Sequence, residues 1–100
     1  MPFQFSPIPT SLKPFFQEYD LKELHLRRHA DLIIQRTLEF GNWDEIRWLF
    51  QAYGRIRIRR FIREHGERWL SPVTFNYWRK LLGVHKWDSV PFERVMQWPP

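Results

Sequence analysis

The chain contains no cysteine, which excludes a disulfide framework and any metal site built from thiolates. Long apolar runs are also missing, and no stretch approaches the roughly 20 apolar residues that a membrane-spanning helix requires. The opening residues, MPFQFSPIPTSL, lack a basic start followed by an apolar run, so we expect no signal peptide. These absences predict a cytoplasmic protein that does not interact with a membrane.

Glycine is scarce, with four residues, and none of them belongs to a clustered phosphate-binding loop. Each glycine instead borders an apolar segment of helical period, which predicts helix ends at these positions. No nucleophile elbow surrounds Ser71, and no carboxylate pair stands in apolar surroundings. We therefore expect no catalytic residue, no cofactor and no enzymatic activity.

Aromatic residues and arginine, by contrast, are abundant. Six tryptophans are present, and 18% of the 100 residues are aromatic. Each ring can bury roughly 150–250 Å², so one small domain has rings to spare for its surface or a partner. Lysine and arginine outnumber acidic residues by 16 to 11, giving a net charge of +5. This balance fits an acidic protein partner or nucleic acid.

The apolar spacing of four segments is that of amphipathic helices, which predicts an all-α fold, a compact bundle of four to five helices. A capping box of Asn42 and Glu45 marks the start of the second helix, and Ser71-Pro72 marks the start of the fourth. The predicted helices are 27–40, 43–53, 55–65 and 72–82.

The two ends of the chain carry weaker patterns. Residues 1–14 contain four prolines, which favours an extended arm over a helix. Residues 15–83 make up the predicted helical domain, in which 14–24 form one or two helical turns. Residues 84–100 are predicted to be an irregular tail with at most one short helix.

The third predicted helix has an unusual charge pattern. Ile58, Phe61 and Ile62 share a narrow apolar arc, while Ile56 falls among the arginines that cover the rest of the wheel. We predict a basic surface that docks an acidic protein or phosphate, and the alternative is an ordinary solvated helix face. The arginines of this surface are Arg55, Arg57, Arg59, Arg60 and Arg63.

The fourth predicted helix places six apolar residues on one half of its wheel, and we expect most of this helix to lie in the core. They are Val73, Phe75, Tyr77, Trp78, Leu81 and Leu82. Helices 55–65 and 72–82 also suggest a DNA-binding helix-turn-helix, although the connector HGERWL exceeds the usual turn of three to four residues. Its base or phosphate contacts would be Thr74, Asn76, Arg79 and Lys80.

Two further groups have weaker patterns. Trp87 and Trp98 lie outside the predicted helices and are candidates to anchor a partner, because tryptophan is frequent in interface hot spots. His25 and His29 stand four residues apart, with Asp31 nearby, but no HExxH motif supports a metal site. We expect ordinary surface or half-buried histidines there and no bound metal.

Residues 15–83 resemble a family of small bacterial proteins of uncharacterised function. The likeness rests on three runs: FFQEYDLKEL, then RRHADLIIQRTLEFGNWDEIRWLFQAYGRIRIRRFI, then LSPVTFNYWRKLLG. Members of that family are similar to companions of nucleotidyltransferase-type toxins of the abortive-infection class. The resemblance implies an antitoxin-like role and no catalytic residues. Together with the arginine cluster and the excess of aromatic residues, it predicts that the basic surface covers the acidic pocket of such a toxin.

Overall fold

The computed structural model describes residues 8–88, and all regular structure in that range is helical. Two 3-10 helices, Thr10–Phe16 and Leu21–Glu23, come first. Five α-helices follow, which confirms the predicted all-α fold class. They are α1 (Ala30–Phe40), α2 (Trp43–Tyr53), α3 (Arg55–Phe61), α4 (Glu67–Trp69) and α5 (Pro72–Leu81).

Two helix starts follow the predicted capping chemistry. The Asn42 side chain accepts a hydrogen bond from the Glu45 amide at 2.9 Å, and Glu45 accepts one from the Asn42 amide at 2.8 Å. At the start of α5, Ser71 Oγ accepts a bond from the Thr74 amide at 3.4 Å, with Pro72 in the first turn. The capping box and the Ser-Pro start are therefore confirmed.

The predicted extended arm is wrong for residues 10–14, which belong to the first 3-10 helix. Leu12 and Phe16 lie four residues apart and are completely buried in the core. The burial of these two side chains in the core outweighs the extended preference of the prolines. Residues 1–7 of the arm and 89–100 of the tail lie outside the described residues, and 84–88 contain no helix.

Arg36 of α1 fastens the turn that follows this first helix. Its guanidinium donates to the Phe15 carbonyl at 2.9 Å and makes a two-pronged contact with the Glu18 carboxylate at 2.7 and 2.6 Å. Hydrogen bonding to Arg36 lowers the pKa of Glu18 to about 2, so this carboxylate stays charged through mild acid.

The core lies where α1, α2 and α3 meet. The side chains of Ile33, Leu49, Ile58 and Phe61 are all fully buried there. Complete burial of a side chain of this size stabilises a fold by roughly 1.5–3 kcal/mol, so a few such residues account for much of the stability of a small domain.

The third helix does not end near residue 65 as predicted. A single π-helical turn, Ile62–Gly66, joins α3 to α4, so residues 55–69 form one continuous helix, here called the composite helix. Gly66 is helical (φ −59°, ψ −43°) and buried against the Phe75 ring. A Cβ at this position would lie 2.7 Å from Phe75 Cδ1. The glycine therefore provides room for a close contact rather than a helix stop.

We predict that Gly66→Ala destabilises the protein by about 1–3 kcal/mol, because the added methyl group collides with a buried ring. An ordinary helical glycine would give the opposite sign, since alanine favours the helix by about 1 kcal/mol. Urea denaturation followed by circular dichroism measures the change. In a Phe75→Leu background the cost of Gly66→Ala should shrink, and an equal cost in both backgrounds would refute the steric explanation.

Candidate functional site

Most arginines of the predicted basic surface have partners within the chain. Arg57 Nη2 lies 2.6 Å from Asp31 Oδ1 on α1, and the Arg57 side chain is 24% exposed. Arg59 donates to the carbonyl oxygens of Leu82 and Gly83, at 2.9 and 3.0 Å, just beyond α5. These two guanidinium groups hold the composite helix to α1 and to the end of α5.

The remaining three arginines are exposed on the composite helix. Arg63 lies 3.7 Å from its neighbour Glu64, a distance typical of a weak surface pair. Arg55 and Arg60 have no hydrogen-bond or ion-pair partner within residues 8–88. Ile56, beside them, is 86% exposed. The free part of the predicted surface is therefore smaller than the sequence indicates.

The residues of the alternative DNA-reading helix are also occupied in part. Thr74 Oγ1 hydrogen-bonds Glu39 at 3.0 Å, and Asn76 Oδ1 accepts from Arg79 Nε at 3.0 Å. The Arg79 guanidinium further lies 4.7 Å from the centre of the Trp87 ring. Of the four predicted readers, Lys80 has no such contact among the described residues. The turn between α4 and α5 consists of residues 70–71 and is therefore shorter than the connector HGERWL expected from the sequence.

Trp87 packs against the domain. Its ring meets Phe75 edge-on at 5.2 Å, and its Nε1 donates to Glu67 Oε1 at 3.2 Å. This ring therefore holds the segment after α5 onto the composite helix. Trp98, the other predicted anchor, lies outside the described residues.

The histidines near α1 make local backbone contacts. His29 Nδ1 accepts from the His25 amide at 2.8 Å, and His25 Nδ1 accepts from the amides of Arg27 and Arg28 at 3.2 Å. Within residues 8–88, no group of three or more potential ligands is arranged to hold a metal ion. No helix in the same range is long and apolar enough to cross a membrane.

Only half of the apolar residues of the fourth predicted helix are in the core, which corrects the expectation that most of it is core. Phe75, Trp78 and Leu82 are 4–5% exposed and face the composite helix and α2. The other three residues are spaced by four, form a separate row and lie open to solvent. Val73 is 81%, Tyr77 48% and Leu81 57% exposed.

Val73 and Tyr77 of this row form one wall of a groove of about 400 Å³ between α5 and the start of α2. Trp43, which is 64% exposed, forms the opposite wall and meets the Trp78 ring edge-on at 6.3 Å. Leu38, Ile46 and Trp78 line the floor. We call this feature the apolar groove; Leu81 extends its α5 wall by one turn.

The N-terminal end of α5, at the Val73 end of the groove, is held by Glu39 of α1. The Glu39 carboxylate accepts hydrogen bonds from the Ser71 amide at 2.9 Å, from Ser71 Oγ at 2.8 Å and from Thr74 Oγ1 at 3.0 Å. Partial burial alone would raise the pKa of Glu39, but these hydrogen bonds outweigh it and lower the pKa. The carboxylate is therefore charged at neutral pH.

These residues define an all-α domain with an open apolar groove between α5 and the start of α2. The chain belongs to a family of unknown function (DUF6922), whose model matches residues 11–62. That match includes Trp43 and the arginines of α3, and it ends before α5 begins. No significant match was found to a curated protein or to a solved structure.

We predict that Arg57→Ala and Arg60→Ala differ sharply in their effect on stability. Removal of Arg57 takes away the 2.6 Å guanidinium contact of a half-buried Asp31 and leaves it only the more distant His65 Nε2, at 3.6 Å. The loss should cost about 1–2 kcal/mol, between the values for surface and buried pairs. Arg60→Ala should stay within about 0.5 kcal/mol. Thermal or urea unfolding of both variants measures this difference, and equal losses would contradict the assignment of Arg57 to a structural role.

Proposed function

We propose that this chain is a non-catalytic protein-binding module that docks its partner in the apolar groove. The observation that carries the proposal is the exposed row of Val73, Tyr77 and Leu81 facing the exposed Trp43. Water-facing apolar patches of this size on small proteins commonly mark interaction sites. Two of the four side chains are large rings, which provide much contact area at low conformational cost.

The distribution of charge supports a protein partner over a nucleic acid. Binding to a phosphate backbone depends on several free cations that neutralise phosphates together. Here Arg57, Arg59 and Arg79 already contact groups within the chain. The surface that remains open on α5 is mainly apolar, and apolar contacts give little affinity for a sugar-phosphate chain.

In its narrower form, the proposal is an antitoxin-like role, in which the chain neutralises a nucleotidyltransferase-type toxin by covering it. This form is supported by the resemblance over residues 15–83. It also suits the free cations Arg55, Arg60 and Lys80, because a toxin that binds catalytic metal ions needs an acidic pocket. The arginines would then supply charge complementarity around a contact whose buried centre is the groove.

We predict that co-expression with the product of the adjacent gene yields one complex in size-exclusion chromatography at micromolar concentration. The double variant Val73→Asp/Leu81→Asp should elute as two separate proteins, because two carboxylates cannot be buried unpaired against an apolar partner. Both positions are exposed, so the circular dichroism spectrum should not change.

Gln17→Glu provides a control, since it adds a carboxylate at an exposed residue that neither lines the groove nor lies on the composite helix. This variant should keep the complex. Two separate peaks with the unaltered chain would contradict the antitoxin form. A complex that survives the double variant would show that the groove is not the docking surface.

A further inference from the structure

The size of the apolar groove limits what can occupy it. Fully exposed large side chains offer roughly 150–250 Å² each, so the exposed parts of Trp43, Val73, Tyr77 and Leu81 amount to roughly 400–500 Å². Each partner in a standard stable interface contributes about 800 Å². The groove alone is therefore too small for the flat interface of a stable dimer, but it suits one narrow element.

The shape of the α5 wall favours a helix as that element. From Val73 to Leu81 the wall spans nine residues of α5, which are eight steps of about 1.5 Å or about 12 Å. A facing helix of two to three turns covers this length and presents anchors at i, i+3 or i+4, and i+7. The Trp43 ring and the Tyr77 ring stand on opposite sides of the groove, where such anchors would insert between them.

The two ends of the groove carry opposite charge. At the Val73 end, the charged Glu39 carboxylate lies beside Thr74. At the Leu81 end, Lys80 has no partner within residues 8–88, and the Arg59 guanidinium is bonded to the carbonyls of Leu82 and Gly83. Negative charge on an occupant is therefore favourable at the Leu81 end and unfavourable at the Val73 end.

From these observations we propose that the groove receives a single amphipathic helix of a partner protein, with carboxylates at the end that lies against Leu81. This inference rests on the proposed protein-binding function and names the chemistry of its partner. A second copy of the chain fits less well: each copy carries a charge of +5, and an isologous contact through α5 would place both Lys80 side chains in one interface.

A displayed library of random 16-residue peptides tests the inference, with the unaltered chain as bait and Val73→Asp/Leu81→Asp as counter-selection. The enriched peptides should show apolar residues at i, i+3 or i+4, and i+7, with aspartate or glutamate concentrated at one end. The best peptide, synthesised with a fluorescein label, should bind at least about tenfold more weakly to the double variant, which is about 1.4 kcal/mol.

Lys80→Glu tests the direction of the charge. It should weaken the acidic peptide about three- to tenfold at low salt, and a matched peptide with lysines in place of the carboxylates should gain affinity. Both effects should fade in 0.5 M salt because exposed charges are screened. Gln17→Glu again serves as the control and should leave the affinity unchanged.

Several results would overturn the inference. They are no enrichment of any peptide, enrichment without helical periodicity, and enrichment of basic peptides. A peptide affinity that is the same for the unaltered chain, for Val73→Asp/Leu81→Asp and for Lys80→Glu would also overturn it. A dimer of the unaltered chain in analytical ultracentrifugation that Leu81→Asp dissociates would assign the groove to a second copy instead. The proposed protein-binding function is tested separately by co-expression. If a complex forms and the groove variants abolish it, protein binding is supported even when no acidic helix is selected.

Discussion

The contact between Gly66 and the Phe75 ring determines how α5 lies on the rest of the domain. Because position 66 has no side chain, the ring approaches the backbone of the composite helix directly. Phe75, Trp78 and Leu82 then face inward together, as their spacing along a helix requires. The row of Val73, Tyr77 and Leu81 therefore faces outward. The groove is a consequence of the contact between Gly66 and the Phe75 ring.

Positive charge has a divided role in this protein. Arg36, Arg57 and Arg59 each join segments that are distant in the sequence, through a carboxylate or through carbonyl oxygens. The bidentate shape of guanidinium suits such links better than the ammonium of lysine. Within residues 8–88, Arg55 and Arg60 join no segments in this way, and their charge is left on the surface.

Sequence patterns predict the helices well where the signal is local. The capping box at Asn42 and the Ser71-Pro72 start depend on neighbouring residues, and both are present in the structure. The prediction of a helix end at Gly66 is wrong, because the residue type alone does not distinguish a glycine that ends a helix from one that allows an aromatic ring to pack against the backbone. The sequence does not predict the exposed row of α5 for a related reason. A helical wheel shows which residues share a face, but not how much of that face a neighbouring helix covers. The partners of Arg57 and Arg59 lie 26 and 23 residues away, beyond any local pattern.

The absence of cysteine allows the most direct test of the central claim, that the α5 row is open in the free protein and covered by a partner. Single Val73→Cys and Leu81→Cys variants can be labelled with a thiol reagent at one defined position each. Both thiols should react in the free protein nearly as fast as in urea, and saturating partner should slow both. Slow labelling of the free protein, or equal rates with and without partner, would contradict the claim.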